Sequence, residues 1–367
     1  MIEKEIPQVD LKRQYHSIKK EIDAAIFDII ENTSFINGKA LTEFENDFAK
    51  FCNSKFCIGV SSGTSAVEVA LQAAGIKAGD EVITVPNTFI ATTEAITKVG
   101  AKFKFVDIDE ETYTIDVNQI ENAITAKTKA IVPVQLYGQS SEMDKIKEIA
   151  EIFNLKIIED CAQAHGAEHN NKKLPYDLVG SFSFFPAKNL GSFGDAGAVV
   201  TDDEDIANKA RLLRDHGRTG KYIHEIEGYN HRLDTLQAAI LSVKLKKLNE
   251  WIEKRRENAK LYNKLLSDKI IKPIEKENNK HVYYVYTIRV KDRDGLQKHL
   301  KENKISSQIY YPIPLHLQPA YSSLGYKKGD FPVTEKVCNE IISLPMFPEL
   351  TKEEIEYISE KVNEFIL

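Results

Sequence analysis

The chain has 367 residues, of which 42% are hydrophobic and 28% charged, with a formal net charge of −6. That length builds a large core with no need of cross-links, and the acidic balance argues against nucleic acid, whose phosphates bind basic faces. No apolar run approaches the roughly eighteen residues of a membrane span, so no membrane partner is expected.

The opening MIEKEIPQVDLKRQYHS has no apolar core of a secretory signal, which predicts a cytoplasmic protein. Cys52, Cys57, Cys161 and Cys338 show neither CxxC nor zinc spacing; they are expected to be reduced thiols, with no metal site. Between about 55 and 200, short apolar runs alternate with helical patterns. Strands are predicted at 57–60, 82–85, 102–106, 130–134, 156–159 and 197–200, with helices at 64–75, 88–99, 141–153 and 203–214. Buried strands joined by helical crossovers imply an α/β fold with a mostly parallel sheet, ligands gathering beyond the carboxyl ends of its strands. Helical periodicity then runs from 232 to 266, a link to a smaller C-terminal α+β unit. In that unit 281–290 alternates as a strand does, 293–303, 333–342 and 351–366 are helical, and YYPIPLHLQPAY (310–321) forms a Pro-rich, aromatic loop. The expected division is 1–250 and 251–367.

Four stretches carry chemistry. VSSGTSAVEVALQAAG (60–75) joins a strand to a helix where Thr64 and Ser65 offer hydroxyl and backbone donors, an anion site or a plain capped helix start. In VPNTFIAT (85–92), Phe89 is available to stack on a planar ring, or to pack in the core. In IIEDCAQAHGA (157–167), Asp160 follows a strand at its carboxyl end, placed to pair with a protonated pyridine nitrogen or to cap the next turn, and Gln163 can reach a phenolic oxygen. SFSFFPAKNLGSFGDAGAVVTDD (181–203) sets Lys188 between aromatics and glycines. Apolar surroundings strip hydration from a lysine and leave an amine able to condense with an aldehyde cofactor; standing alone, such a lysine is more often a snorkelling surface residue. Ser183 could add a phosphate donor.

GTSA, PNTFIAT, VQLYGQ, IEDCAQAHGA, FSFFPAKNLG…GDAGAVVTDD, RDHG, GYNHRLDTLQAAIL and SLPMFPEL follow one another across nearly the whole chain. As a set they resemble the DegT/DnrJ/EryC1/StrS family of pyridoxal-phosphate (PLP) sugar aminotransferases. The resemblance implies a fold type I, aspartate aminotransferase-like architecture. It also implies that Lys188 holds the cofactor covalently, Asp160 partners the pyridine nitrogen, Gln163 lies near the phenolic oxygen and Phe89 covers the ring. Gly63, Thr64, Ser65 and Ser183 match phosphate contacts, and Asn230 matches an asparagine reaching the neighbouring subunit's cofactor, which implies a homodimer with shared sites. Tyr311, His316, Arg232 and Lys221 are candidates for contacting sugar or diphosphate.

The implied reaction is a two-stage transamination. L-glutamate converts PLP to its amine form (PMP), which then aminates a nucleotide-linked ketosugar, Lys188 moving the proton in both stages. The opening segment is similar to members acting at C3, which favours a dTDP-3-keto-6-deoxyhexose as substrate and a dTDP-3-amino-3,6-dideoxyhexose, a sugar of lipopolysaccharide or S-layer glycans, as product. UDP-3-keto or 4-keto sugars, cyclitol and aminobenzoate chemistry, and a non-catalytic regulator on the same fold are the alternatives. Lys188 speaks against the dehydratase branch, which has histidine there, and the lack of a glycine fingerprint speaks against a nicotinamide enzyme. Gln135, Tyr284 and Tyr310 depart from histidines frequent in the family, and all three are expected at the substrate end of the cleft.

Overall fold

A computed structural model describes residues 5–366; residues 1–4, where the reading of the N-terminus begins, and 367, where the C-terminal unit ends, lie outside the described residues. Three helices come first: α1 (Leu11–Ser17), α2 (Lys19–Glu31) and α3 (Lys39–Phe51). The alternating region follows with β1 (Phe56–Val60), α4 (Gly63–Ala73), β2 (Glu81–Thr84), α5 (Ala91–Lys98), β3 (Lys102–Phe105), α6 (Ile120–Ala123), β4 (Thr128–Ile131), α7 (Met143–Phe153) and β5 (Lys156–Asp160). A small hairpin, β6 (Glu168–His169) and β7 (Lys172–Lys173), leads to β8 (Val179–Ser183), β9 (Gly197–Thr201) and α8 (Glu204–Arg214). Helices α9 (Thr235–Leu245) and α10 (Leu248–Leu265) precede β10 (Asn279–Lys280), β11 (Tyr286–Arg289), α11 (Arg293–Glu302), α12 (Pro332–Glu340), β12 (Ile341–Leu344) and α13 (Lys352–Ile366).

The main sheet has seven strands in the order β1-β9-β8-β5-β4-β2-β3. Every pairing from β8 through β3 is parallel, and β9 alone runs against its two neighbours. Helices cover both faces, as buried strands require. On one face Val67, Leu71, Ile96 and Ala207 pack over Ile58, Ile158 and Val199; on the other Phe44, Phe48, Phe182, Leu241 and Ile252 form a second core. A further core gathers Ile6, Tyr262, Tyr286, Ile288, Ile342, Phe347 and Ile358 around the antiparallel pair β11-β12. Helix α10 contributes to both, Ile252 to the one and Tyr262 to the other.

The alternation of strands and helices follows the sequence reading with shifts of a few residues at the ends. Several features differ. The periodic run 232–266 is two helices, parted at Lys246 and Lys247, so that α9 lies against α3 while α10 reaches the C-terminal core. Residues 281–285 lie outside the strand ladder: Val282 N–H donates to Gly138 O at 2.9 Å and Tyr284 N–H to Tyr137 O at 2.9 Å, while Tyr283 takes a left-handed φ of 44°. Strands β8 and β12 had no counterpart in the reading, β8 because its small Gly and Ser residues lack a strand signature and β12 because its IISL run continues the period of α12. Among the described residues no helix is long and apolar enough to cross a membrane.

Candidate functional site

At the carboxyl ends of β1, β2, β5 and β8 lies a cavity of about 340 Å³ lined by Gly63, Thr64, Phe89, Asp160, Gln163, Ser183, Lys188 and Tyr311, with Tyr284, Tyr310 and Asp195. A larger groove of about 710 Å³ beside Lys298 and Gln308 is open surface and groups none of these residues.

Helix α4 supplies one wall. Ser62 accepts a hydrogen bond from Ser65 N–H at 3.1 Å and donates its own N–H to Ser65 Oγ at 2.9 Å, a reciprocal cap. That cap leaves the first N–H groups of the helix, at Gly63 and Thr64, without intrahelical partners and beside the cavity. A methyl group on Gly63 would sit 2.5 Å from Ser183 Cβ, so only glycine lets α4 approach β8 this closely.

Asp160 ends β5 and is buried. Its Oδ2 accepts from Thr92 Oγ1 at 2.7 Å and its Oδ1 from Ala162 N–H at 3.1 Å. Burial raises its pKa, opposed by those two hydrogen bonds and by the charge of Lys188. Gln163 accepts Tyr137 N–H on Oε1 at 2.8 Å, which fixes Nε2 as the donating end, and Nε2 reaches Tyr311 Oη at 3.3 Å.

Lys188 sits in the turn after β8, its N–H bonded to Phe185 O at 2.8 Å. The turn is tight: a methyl on Gly191 would lie 2.2 Å from Pro186 O. The ammonium lies 4.5 Å from the centre of the Tyr284 ring, and what remains exposed of the side chain faces the cavity. Burial brings its pKa down to about 8, Asp160 pulling the other way. A lysine in that range offers both a neutral amine and an ammonium near neutrality, the condition for nucleophilic attack and for acid/base work.

Five residues singled out in the sequence do not line the cavity. The Ser65 hydroxyl is turned into the cap, donating to Ser62 O at 2.9 Å. His316 is buried with Nε2 on Glu335 at 3.1 Å. Arg232 pairs with Asp215 at 2.6 Å. Lys221 is exposed over Tyr222, and Asn230 is exposed on the following loop. Of the three departures, Tyr284 and Tyr310 line the cavity but Gln135 does not. It is fully buried and donates to Glu159 Oε2 at 2.9 Å, because Glu159, one residue before Asp160, points to the opposite face of β5.

The sequence reading missed Thr88, in the bend before α5, and Thr92, in the first turn of α5, whose hydroxyls meet at 2.9 Å. It also missed His165, buried between Phe182 and Phe184, with a pKa brought down to about 3 by burial and then by Lys188.

Residues 16–363 match the model of the DegT/DnrJ/EryC1/StrS aminotransferase family. A "Pleiotropic regulatory protein" of Geobacillus stearothermophilus is 47% identical over 365 residues, 98% of each chain. A dTDP-3-amino-3,6-dideoxy-alpha-D-galactopyranose transaminase of Aneurinibacillus thermoaerophilus is 43% identical over 363 residues, 98% of this chain and 99% of the relative. The crystal structure of S. venezuelae DesV in complex with a ketimine intermediate superimposes with a TM-score of 0.97 at 38% identity, covering 99% of this chain and 98% of that one. With the α/β architecture and a cavity that joins a desolvated lysine to a buried carboxylate, these matches show that the chain belongs to the DegT/DnrJ/EryC1/StrS family and is a PLP-dependent nucleotide-sugar aminotransferase.

Proposed function

We propose that the protein transfers the amino group of L-glutamate to a dTDP-linked 3-keto-6-deoxyhexose, giving the dTDP-3-amino-3,6-dideoxyhexose. The observation that carries the reading is the meeting of Lys188, Asp160 and Gln163 on one cavity. The choice of sugar is supported by the Aneurinibacillus relative, whose name carries a dTDP-3-amino-3,6-dideoxy sugar.

The residues fit PLP. Asp160, held by Thr92 and Ala162, would take the pyridine nitrogen. Gln163 Nε2 would donate to the phenolic oxygen. The start of α4 with Thr64 and Ser183 would take the phosphate in the space that Gly63 leaves open. Phe89, 56% exposed, would cover a ring face. PLP supplies an electron sink for the carbon that loses or gains a proton.

Lys188 Nζ would hold the cofactor and, as a free amine, would carry the proton between donor carbon and sugar carbon. Its lowered pKa lets one residue take the proton and return it. Tyr284, Tyr310 and Tyr311 wall the substrate end and keep water from the reacting carbon.

The proposal includes a homodimer in which Asn230 completes the partner's site, and a division of the chain into 1–250 and 251–367. The first is supported by the exposure of Asn230, Tyr222 and Ile223 on one loop, and the second by the separate core around β11-β12. Retention of the whole lysine, aspartate and glutamine set favours catalysis over a purely regulatory role.

Mass spectrometry of products from dTDP- and UDP-linked 3-keto and 4-keto sugars with glutamate tests the substrate. Amination of the dTDP-3-keto sugar is expected; exclusive amination of a UDP-linked sugar would replace it. Borohydride should fix the cofactor on the peptide carrying Lys188, and Lys188→Arg should lose turnover by at least about a hundredfold. A protein that binds no reducible cofactor would be a regulator.

A further inference from the structure

A lysine that shuttles a proton spends part of every cycle as a free cation, and a half-buried cation, stripped of much of its water, needs a partner. Among the described residues Lys188 Nζ makes no hydrogen bond and no ion pair. Asp160 acts on it through the field, its two oxygens occupied by Thr92 and Ala162. The group in contact is the ring of Tyr284, with the ammonium 4.5 Å from its centre, inside the range of a cation–π contact.

That ring is held by its backbone rather than by its hydroxyl. Tyr284 N–H donates to Tyr137 O at 2.9 Å, and Arg255, itself buried, reaches Tyr283 O and Tyr284 O at 3.3 Å and Met346 O at 2.8 Å. On the other side Asn189, next to Lys188, donates to Val282 O at 3.2 Å, and buried Lys244 donates to Gly191 O at 2.7 Å. The lysine turn and the tyrosine segment are thus tied to each other and to α9 and α10. The hydroxyl of Tyr284 makes no hydrogen bond among the described residues, and burial raises its pKa to about 12, so it stays neutral.

We propose that the face of the Tyr284 ring is the seat of the Lys188 ammonium whenever that amine is free, which makes Tyr284 a positioning residue acting through its ring. The proposal rests on the reading of Lys188 as the proton carrier. The other charged or titratable groups around the ammonium are Asp160 at the end of β5, Asp195 on the lining, His165 behind the turn, and Tyr310 and Tyr311 across the cavity. The ring stabilises the protonated form. Its removal therefore lowers the pH at which Lys188 loses its proton, and the alkaline limb of turnover moves to lower pH. A cation–π contact of ordinary strength corresponds to a move of about half a pH unit to one and a half.

The test compares Tyr284→Phe, which keeps the face, with Tyr284→Leu and Tyr284→Met, which remove it. All are studied as holoenzymes whose fold is checked by circular dichroism and by fixation of the cofactor on Lys188 with borohydride. Turnover is followed against pH. Separately, holoenzyme given amino donor without ketosugar is acylated at a series of pH values, and modification of Lys188 is read by peptide mass spectrometry. The Phe variant should keep the inflections of both profiles at the wild-type pH, whatever its absolute turnover. The ring-less variants should show both profiles displaced downward by about one pH unit, with turnover down about tenfold and KM for the ketosugar within about twofold. Profiles of Leu and Met that superimpose on the wild type would overturn the proposal, as would a Phe variant displaced as far as Leu. Wild-type protein in which borohydride fixes no cofactor at Lys188 would overturn the functional reading itself, a result distinct from either.

Discussion

Thr92 donates its hydroxyl to Asp160 Oδ2 at 2.7 Å, and Thr88, in the bend before α5, meets Thr92 at 2.9 Å, so the carboxylate is aimed by a buried pair of hydroxyls. Thr92→Val keeps the shape and removes the donor. A hydrogen bond to a charged group is worth about 1.5–3 kcal/mol, so the dissociation constant for PLP should rise at least about tenfold. Thr92→Ser should restore it. Equal affinity of the valine variant, measured by cofactor titration, would show that Asp160 needs no such support.

Lys188 makes the cofactor-free protein pH-sensitive. Its folded pKa of about 8 lies below the 10.5 of a lysine in water. In that window the unfolded chain binds more protons than the folded one, so stability rises with pH and is lowest below pH 8. Lys188→Met should therefore stabilise the cofactor-free protein at pH 7, by on the order of 3 kcal/mol, and the gain should shrink towards pH 10. Urea titrations of both proteins at the two pH values check this. Lys244 has a similarly lowered pKa but is present in both proteins, so its effect cancels.

A Cβ on Gly63 would lie 2.5 Å from Ser183 Cβ and 2.9 Å from its Oγ. Gly63→Ala should push α4 away from β8, lower stability by about 1–3 kcal/mol and weaken cofactor binding. Thermal melting with and without PLP should show a smaller stabilisation by the cofactor than in the wild type.

If Asn230 completes the partner's site, two dead variants should rescue each other. Mixing Lys188→Arg with Asn230→Ala, after subunit exchange, should restore activity towards about a quarter of the wild-type level, the statistical share of intact sites. No recovery despite proven exchange would place Asn230 in its own subunit's chemistry or in none.

Much of the architecture was legible because strands and helices repeat on short periods. The run from Phe56 to Thr201 alternates apolar strands with helices, and most of these elements, β8 excepted, are specified within a window of ten or so residues. The break at Lys246 and Lys247 was not legible, since no proline or glycine marks it; two separate cores pull the two halves apart. Nor were helices α1 to α3 picked out, although α3 buries Leu41, Phe44 and Phe48 on one face.

By itself the sequence determined the α/β class and offered the candidate site residues, because a lysine flanked by aromatics and glycines, a carboxylate at a strand's end and a glycine at a helix start are local features. Only the tertiary structure decided which of them meet. Asp160 and Lys188 lie 28 positions apart in the chain and share a cavity because β5 pairs with β8 in parallel, bringing both carboxyl ends to one edge. The same pleat turns Glu159 and Gln135 to the other face, and the packing of distant segments, not their residue types, sets His316 on Glu335 and leaves Tyr284 facing the lysine. Burial, and with it the lowered pKa of Lys188, exists only once these segments are assembled, since a lysine in an open chain keeps its water.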